Sequence, residues 1–368
     1  MTQSVLDAVL CVRCAGSLDL RAAAIVCGRC RQEYPRLASI SVVMPQVAAH
    51  LSMWRGQLEL IAAQAAEQFA HLEGESRTPG ILPDGQRRLL ALAGAVRDQV
   101  ENVINAFAPV LAASGEVEPM APLPPGAQTP LKYIHYLYRD WAWGQVGYDE
   151  NQRTVAALRE VVSAPPLGRT LVFGAGGCRL PYQLHRDFGC DETVVLDIDP
   201  FTFVVAEAVI RGKKVPMTEA NLSVQEAVNA ARPWVLSASS GPLGDNFHFM
   251  LANGLAPPFA PGTFDTVVTP WFIDQVPPDM GKFFETLAQM LKPGGRWLNQ
   301  GPLLYPTELP IARRHTRDEI FDLAGRAGFR IGKWTGESRP YLISPLNGRG
   351  RVEWVLTFEA ALEKKPAD

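Results

Sequence analysis

Through the second half of the chain, apolar runs of strand length alternate with mixed segments of helix length, and this alternation predicts most of its elements. The run Leu171-Val-Phe173 breaks into Gly174-Ala-Gly-Gly177, a helix-length segment follows, and the run Val194-Val-Leu-Asp197 ends in carboxylates. That order opens a βαβ unit suited to a nucleotide-like ligand. Beyond it the pattern predicts a helix over Phe201–Arg211, a strand over Phe247–Leu251, and a strand from Phe264 with a polar tip at Asp274. A helix over Lys282–Leu291, a strand over Arg296–Asn299 and a helix over Arg317–Ala327 stopped at Gly328 come next. Two strands, Phe329–Trp334 and Val352–Phe358, close the series. Residues 216–245 mix Pro, Asn, Ser and Gly around one helical patch and read as an insertion between strands.

The first half reads differently. Residues 46–75 have high helix propensity, and Gln86–Ala113 sets Leu89, Leu92, Val96, Val100, Val103, Ile104 and Phe107 on one side at helical spacing. Ser114–Pro130 carries five prolines and reads as a linker. Tyr133–Trp143 is dense in aromatics, which predicts core packing or a lid over a ligand, and Asn151–Val162 is a helix leading into the first glycine-terminated strand.

Composition narrows the function classes. A 368-residue chain with 47% hydrophobic and 20% charged residues can bury a core in two to three domains. Its net charge of −3 excludes a global basic field for nucleic acid, although Arg13, Arg21, Arg29, Arg31 and Arg36 leave room for a local patch. No apolar run approaches membrane-spanning length, and no basic segment ahead of an apolar stretch marks the N-terminus as secretory, so the expected location is the cytoplasm. In that compartment Cys11-Val-Arg-Cys14 and Cys27-Gly-Arg-Cys30 suit a tetrahedral Zn²⁺ better than disulfides or a redox pair. A unit so small has little core, and metal binding would supply much of its folding free energy. With Tyr34-Pro35 and Ile40-Ser-Val-Val-Met-Pro45, this segment resembles the zinc ribbon of the Trm112-like family. There the ribbon is a stabilising partner of methyltransferases, which implies a structural metal and a possible protein partner.

The glycine turn has a chemical rationale of its own. Gly174, Gly176 and Gly177 remove side chains where a ligand must approach the backbone, and Asp197 can accept both hydroxyl hydrogens of a ribose. Cys178 stands where a third glycine is usual, and an NAD site would satisfy the same pattern. The downstream order of Phe264-Asp-Thr-Val-Val268 and Leu291-Lys-Pro-Gly-Gly295 resembles a class I S-adenosylmethionine-dependent methyltransferase. This implies an α/β Rossmann-like sheet over 131–362, after a zinc ribbon over 1–45 and a helical segment with linker over 46–130. The resemblance implies that Gly174, Gly176 and Gly177 line the methionine part of the cofactor, and that Asp197, rather than Asp199, holds the ribose. It places Asn253 opposite the adenine amine; the alternative for Asn253 is a turn residue before Gly254.

Val267-Val-Thr-Pro-Trp-Phe-Ile-Asp274, Gly301-Pro-Leu-Leu-Tyr305, Arg139-Asp-Trp141 and Arg179-Leu180 are similar to the N2227-like family, which includes carnosine N-methyltransferase. That resemblance implies methyl transfer to an imidazole nitrogen of a small molecule or peptide. Asp274 would orient the ring, Trp271, Phe272, Tyr305 and Tyr341 would line the acceptor site, and Arg139 and Arg179 would lie on the cofactor side. A structural reading of Asp274 as a helix cap or turn residue before Pro277 competes with that role. Two departures from the family are Pro306, where a substrate-holding histidine is usual, and Gly350-Arg-Val-Glu353, where a tyrosine-rich segment is usual. Two other classes remain open: a zinc-ribbon enzyme acting on ribosomal RNA, and a non-catalytic scaffold of the same fold.

Overall fold

The computed structural model describes residues 4–20, 24–114, 130–276 and 279–363. The Pro-rich linker, Arg21 and Pro277 lie outside the described residues. A ribbon of four short strands, β1 (Leu18–Leu20), β2 (Ala24–Cys27), β3 (Glu33–Leu37) and β4 (Ile40–Val42), leads into a long helix α1 (Val47–Glu75). Helix α2 (Pro83–Ala106) returns along it, with Pro83 in the first turn where no backbone N–H is needed. A bend at Phe107 divides the expected second helix, so that α3 (Ala108–Ala113) is a separate turn with Pro109 in its first residues. The expected stripe is otherwise present: Leu89, Leu92, Val96, Val100, Val103 and Phe107 are buried.

Helix α4 (Pro130–Trp141) carries the aromatic run, and α5 (Gly144–Val161) begins ahead of the expected Asn151. The alternating part then follows as β5 (Arg169–Phe173), α6 (Arg179–Asp187), β6 (Glu192–Asp197), α7 (Pro200–Ile210), β7 (Val215–Ala220), β8 (Ala231–Leu236) and β9 (Phe247–Leu251). After these come β10 (Phe264–Pro270), α8 (Met280–Met290), β11 (Leu291–Gly301), α9 (Arg317–Arg326), β12 (Phe329–Tyr341) and β13 (Arg351–Leu362). Where the sequence suggests an irregular insertion with a helical patch, residues 215–236 are instead the antiparallel pair β7–β8, with one 3₁₀ turn at Ala227–Asn229. Pairing with a neighbour outweighs weak local propensity here.

Eleven strands form one sheet in the order β1-β2-β3-β4-β9-β6-β5-β10-β11-β13-β12. From β9 to β11 the strands are parallel, and chain order reverses direction at β5, which puts the ligand crevice beyond the carboxyl ends of β5 and its neighbours. β13 inserts antiparallel between β11 and β12. The ribbon joins the same sheet edge, with Ile40, Ser41 and Val42 of β4 paired in parallel with Phe249, Met250 and Leu251 of β9. Both faces of the central strands are covered, one by Val172, Val195, Val268 and Leu298 against α4–α7, the other by Leu171, Phe173, Val267 and Trp297 against α8 and α9.

Candidate functional site

At the tip of β5 the backbone turns through Gly174 (φ +57°) and Gly176 (φ +51°), in the region open to glycine. The glycines have different neighbours. A Cβ on Gly174 would meet the Phe272 ring at 2.5 Å and one on Gly177 would meet Asp140 Oδ2, whereas one on Gly176 would meet nothing within 4 Å. Gly176 is therefore the open part of the cradle. Cys178 takes the left-handed conformation without glycine's freedom (φ +59°) and is fully buried.

Asp197, at the end of β6, is held by three backbone amides. Gly176 N–H donates to Oδ2 at 2.8 Å, and the amides of Ile198 and Asp199 donate to Oδ1 at 2.7 and 3.0 Å. The carboxylate is thereby fixed beside the open glycine, with lone pairs left for further donors. Asp199 caps α7, its Oδ1 accepting from Phe201 N–H at 2.8 Å, which accounts for that residue without a ligand role. Burial, with Asp197 alongside, pushes Asp199 up to about 7. The Tyr133 hydroxyl of α4 is also pushed up, chiefly by burial and then by the charge of Asp199. Asn253 is exposed, and its Oδ1 accepts from Leu255 N–H at 3.0 Å, the geometry of a turn residue.

The Arg-Asp-Trp run of α4 packs onto the turn. Trp141 Nε1 donates to Gly177 O at 2.8 Å, and Arg139 pairs with Asp140 at 2.7 Å and with Glu150 at 3.2 Å. Burial opposes the Arg139 charge, but Asp140, Tyr341 and Glu150 hold it above its ordinary value. Its fork is thus committed to two carboxylates of this chain, between the rings of Tyr136 and Tyr341. Arg179 lies over Trp141 at 5.1 Å, buried, with its Nε unpartnered.

On the far side, β10 is followed by Trp271, a non-glycine residue at φ +52° whose N–H donates to Gln300 O at 2.8 Å. Such strained positions gather at functional sites. The Trp271 indole stacks on Tyr341 with ring centroids 3.8 Å apart. Asp274 sits in the 3₁₀ turn Ile273–Gln275 and is 3% exposed, and Leu304 N–H donates to its Oδ2 at 3.2 Å. Burial is the main reason its carboxyl is pushed up to about 6, with the charge of Glu353 adding to the rise. The Tyr305 hydroxyl is buried without a partner, and its ring lies 6.5 Å from His315. His315, with Tyr136, Glu150 and Asp140, completes this neighbourhood; residue order gives no sign of it, because His315 is brought in by the 302–316 loop.

In the ribbon, the Sγ atoms of Cys11, Cys14, Cys27 and Cys30 lie within 4.8 Å of one another, and all four thiols are free. Cys11 and Cys30 are 3.6 Å apart and Cys14 and Cys27 3.5 Å, spacings for a shared ion rather than for S–S bonds. Tyr34 Oη, 3.1 Å from Cys11 Sγ, backs the cluster. No helix among the described residues is long and apolar enough to cross a membrane.

Residues 229–342 match the family model described as Carnosine N-methyltransferase. No curated protein matches the chain. Among solved structures it is similar to phosphoethanolamine N-methyltransferase 2 of Haemonchus contortus in complex with S-adenosylmethionine (15% identity, 66% of this chain and 62% of that one, TM-score 0.42). It is also similar to an S-adenosylmethionine-dependent methyltransferase from Aquifex aeolicus (11% identity, 64% and 100%, TM-score 0.39). A third likeness is to a chain of the Haloferax volcanii complex between the Trm112 methyltransferase activator and a methyltransferase (16% identity, 59% and 92%, TM-score 0.38). With its parallel sheet reversing at a glycine turn, the chain has the class I, Rossmann-like methyltransferase fold, and its segment 229–342 is similar to the carnosine N-methyltransferase family.

Proposed function

We propose that this methyltransferase acts on an imidazole-type nitrogen of a small molecule or peptide. The observation that carries the reading is Asp274: a carboxylate 3% exposed, held by the Leu304 amide, and flanked by Trp271, Phe272 and Tyr305. Burying a carboxylate this far without a cationic partner is costly unless a ligand supplies a donor. A ring N–H on its free lone pairs would fix the tautomer, leave the other nitrogen's lone pair available, and stabilise the imidazolium that forms. The indole of Trp271 and the rings of Tyr341 and Tyr305 offer faces to that growing positive charge.

The cradle fits a sulfonium nucleoside: Gly176 leaves open space and Asp197 stands fixed beside it. When bound, S-adenosylmethionine supplies an already activated methyl group, so the protein's tasks are alignment and exclusion of water. Gly176 and Asp197 would hold the ribose side, and Asn253, whose Oδ1 already accepts from Leu255 N–H, keeps a second lone pair for the adenine amine. Arg139 and Asp140 act by bracing the turn at Gly177. The four thiols would hold a structural Zn²⁺, and β4 pairing on β9 supports a ribbon that stabilises the methyltransferase sheet from within the same chain.

The test is incubation of the protein with methyl-labelled cofactor and imidazole-bearing acceptors, free histidine and small histidine peptides among them, followed by mass spectrometry. A product heavier by one methyl on the ring is expected. Methylation only of amine or carboxylate groups would reject the imidazole reading while leaving the enzyme class intact.

A further inference from the structure

A cavity of about 390 Å³ lies away from the glycine turn, between the end of β7, the α4–α5 junction and the 342–350 loop. Its floor is Glu219, a carboxylate 2% exposed. Both indole donors that reach Glu219 fall on the same oxygen: Trp143 Nε1 at 3.0 Å and Trp234 Nε1 at 2.8 Å on Oε2. The other oxygen, Oε1, has no hydrogen-bond donor among the described residues; its nearest basic atom is Nδ1 of the half-exposed His135, 4.0 Å away. On the same cavity wall Arg349 is exposed, and its guanidinium makes no ion pair or hydrogen bond among the described residues. The wall is built rather than loose. Asn347 Nδ2 donates to Asn221 Oδ1 at 3.1 Å, Asn229 Nδ2 to Leu346 O at 3.3 Å, and Ser344 N–H to Arg349 O at 2.7 Å.

We propose that this cavity is a binding site for a small zwitterion, a free amino acid or short peptide, its ammonium on Glu219 Oε1 and its carboxylate on Arg349. A carboxylate buried under two tryptophans gains most from a compact, multi-donor cation, and a planar carboxylate is the natural partner of an uncommitted guanidinium. The volume, near the lower end for ligand pockets, suits a molecule of that size. The site does not depend on the imidazole reading. It borders the acceptor side, because Leu342 of its wall follows Tyr341, which stacks on Trp271.

Calorimetry on the full chain tests it, with glycine, β-alanine and glycylglycine as zwitterions and methylamine and acetate as half-ligands. At least one zwitterion should bind at least tenfold more tightly than either half-ligand. Glu219→Gln, which keeps an acceptor for the indoles, and Arg349→Ala should each weaken that binding tenfold or more, with S-adenosylhomocysteine binding and thermal melting showing that both variants are folded. Absence of binding by every zwitterion overturns the proposal, as does binding unchanged in both variants. Loss in Glu219→Gln with none in Arg349→Ala would leave a cation site and overturn the zwitterion. Because the readout is binding without turnover, failure here leaves the methyl-acceptor reading untouched, and failure of that reading leaves this one.

Discussion

The ribbon and the acceptor wall hang on the same sheet, yet they are stabilised in opposite ways. In the ribbon, four thiols converge within 4.8 Å of one another, an arrangement that a Zn²⁺ ion would stabilise. At the proposed acceptor wall, Asp274 is 3% exposed, and the chain tolerates a carboxylate in a place that disfavours its charge. One region gains stability from its polar groups once they are filled; the other gives up stability to keep a polar group ready. A ligand-dependent element can thus sit on the edge of the sheet, joined to it by β4 pairing on β9 and by a bridge between Val9 and Phe259.

The sharpest break of that comparison is removal of the ion. Cys14→Ser, or prolonged chelation, should release about one Zn²⁺ per chain by metal analysis and destabilise the ribbon by several kcal/mol, a fraction of the roughly 10–16 kcal/mol seen for structural zinc. Calorimetric scanning should then show an early transition separate from that of the main sheet; a single unchanged transition would mean that the ribbon holds itself. Next in size is Asp274→Asn, expected to slow methyl transfer by roughly 10²–10⁴-fold.

The same substitution should have an inverted effect on stability. The Asp274 carboxyl rises from an ordinary 3.8 to about 6 on folding, so the folded state binds the extra proton and stability falls as pH rises through that window. Above it, the charge costs the fold on the order of 3 kcal/mol, because each tenfold change in proton affinity is worth about 1.4 kcal/mol. Asp274→Asn should therefore raise the melting temperature at pH 8 and leave it nearly unchanged at pH 4, while wild-type turnover grows as pH climbs through 6. A melting temperature lowered at pH 8 would show that the carboxylate is structural.

Smaller effects sharpen the picture within the crevice. Gly176→Ala places a Cβ in open space at φ +51°, so it should cost about 1 kcal/mol of stability by backbone strain while weakening cofactor binding by tenfold or more in calorimetry. Equal losses in both would make the glycine a turn residue only. Tyr305→Phe removes a buried hydroxyl that has no partner, so stability should hold or improve slightly. A two- to tenfold rise in KM with kcat little changed would assign that hydroxyl to the acceptor.

Much of this arrangement is legible in residue order. Alternating apolar runs locate the strands at Phe247–Leu251 and Phe264–Pro270, because burial on both faces demands it, and two C-x-x-C pairs foretell the thiol cluster. The 215–236 hairpin escapes that pattern because its strands are half-exposed and interrupted by Pro216 and Pro233. Local sequence alone determines which residues can be strand, turn, glycine cradle or thiol ligand, since those depend on the side-chain shape and spacing of a few positions. Only the tertiary structure could decide that Arg139 is spent on Asp140 and Glu150, that Phe272 rather than a ligand abuts Gly174, that His315 stands near Tyr305, and that Glu219 faces a cavity with Arg349. Most of those contacts join elements far apart in the chain, and distance, desolvation and charge pairing in three dimensions have no signature in a one-dimensional pattern.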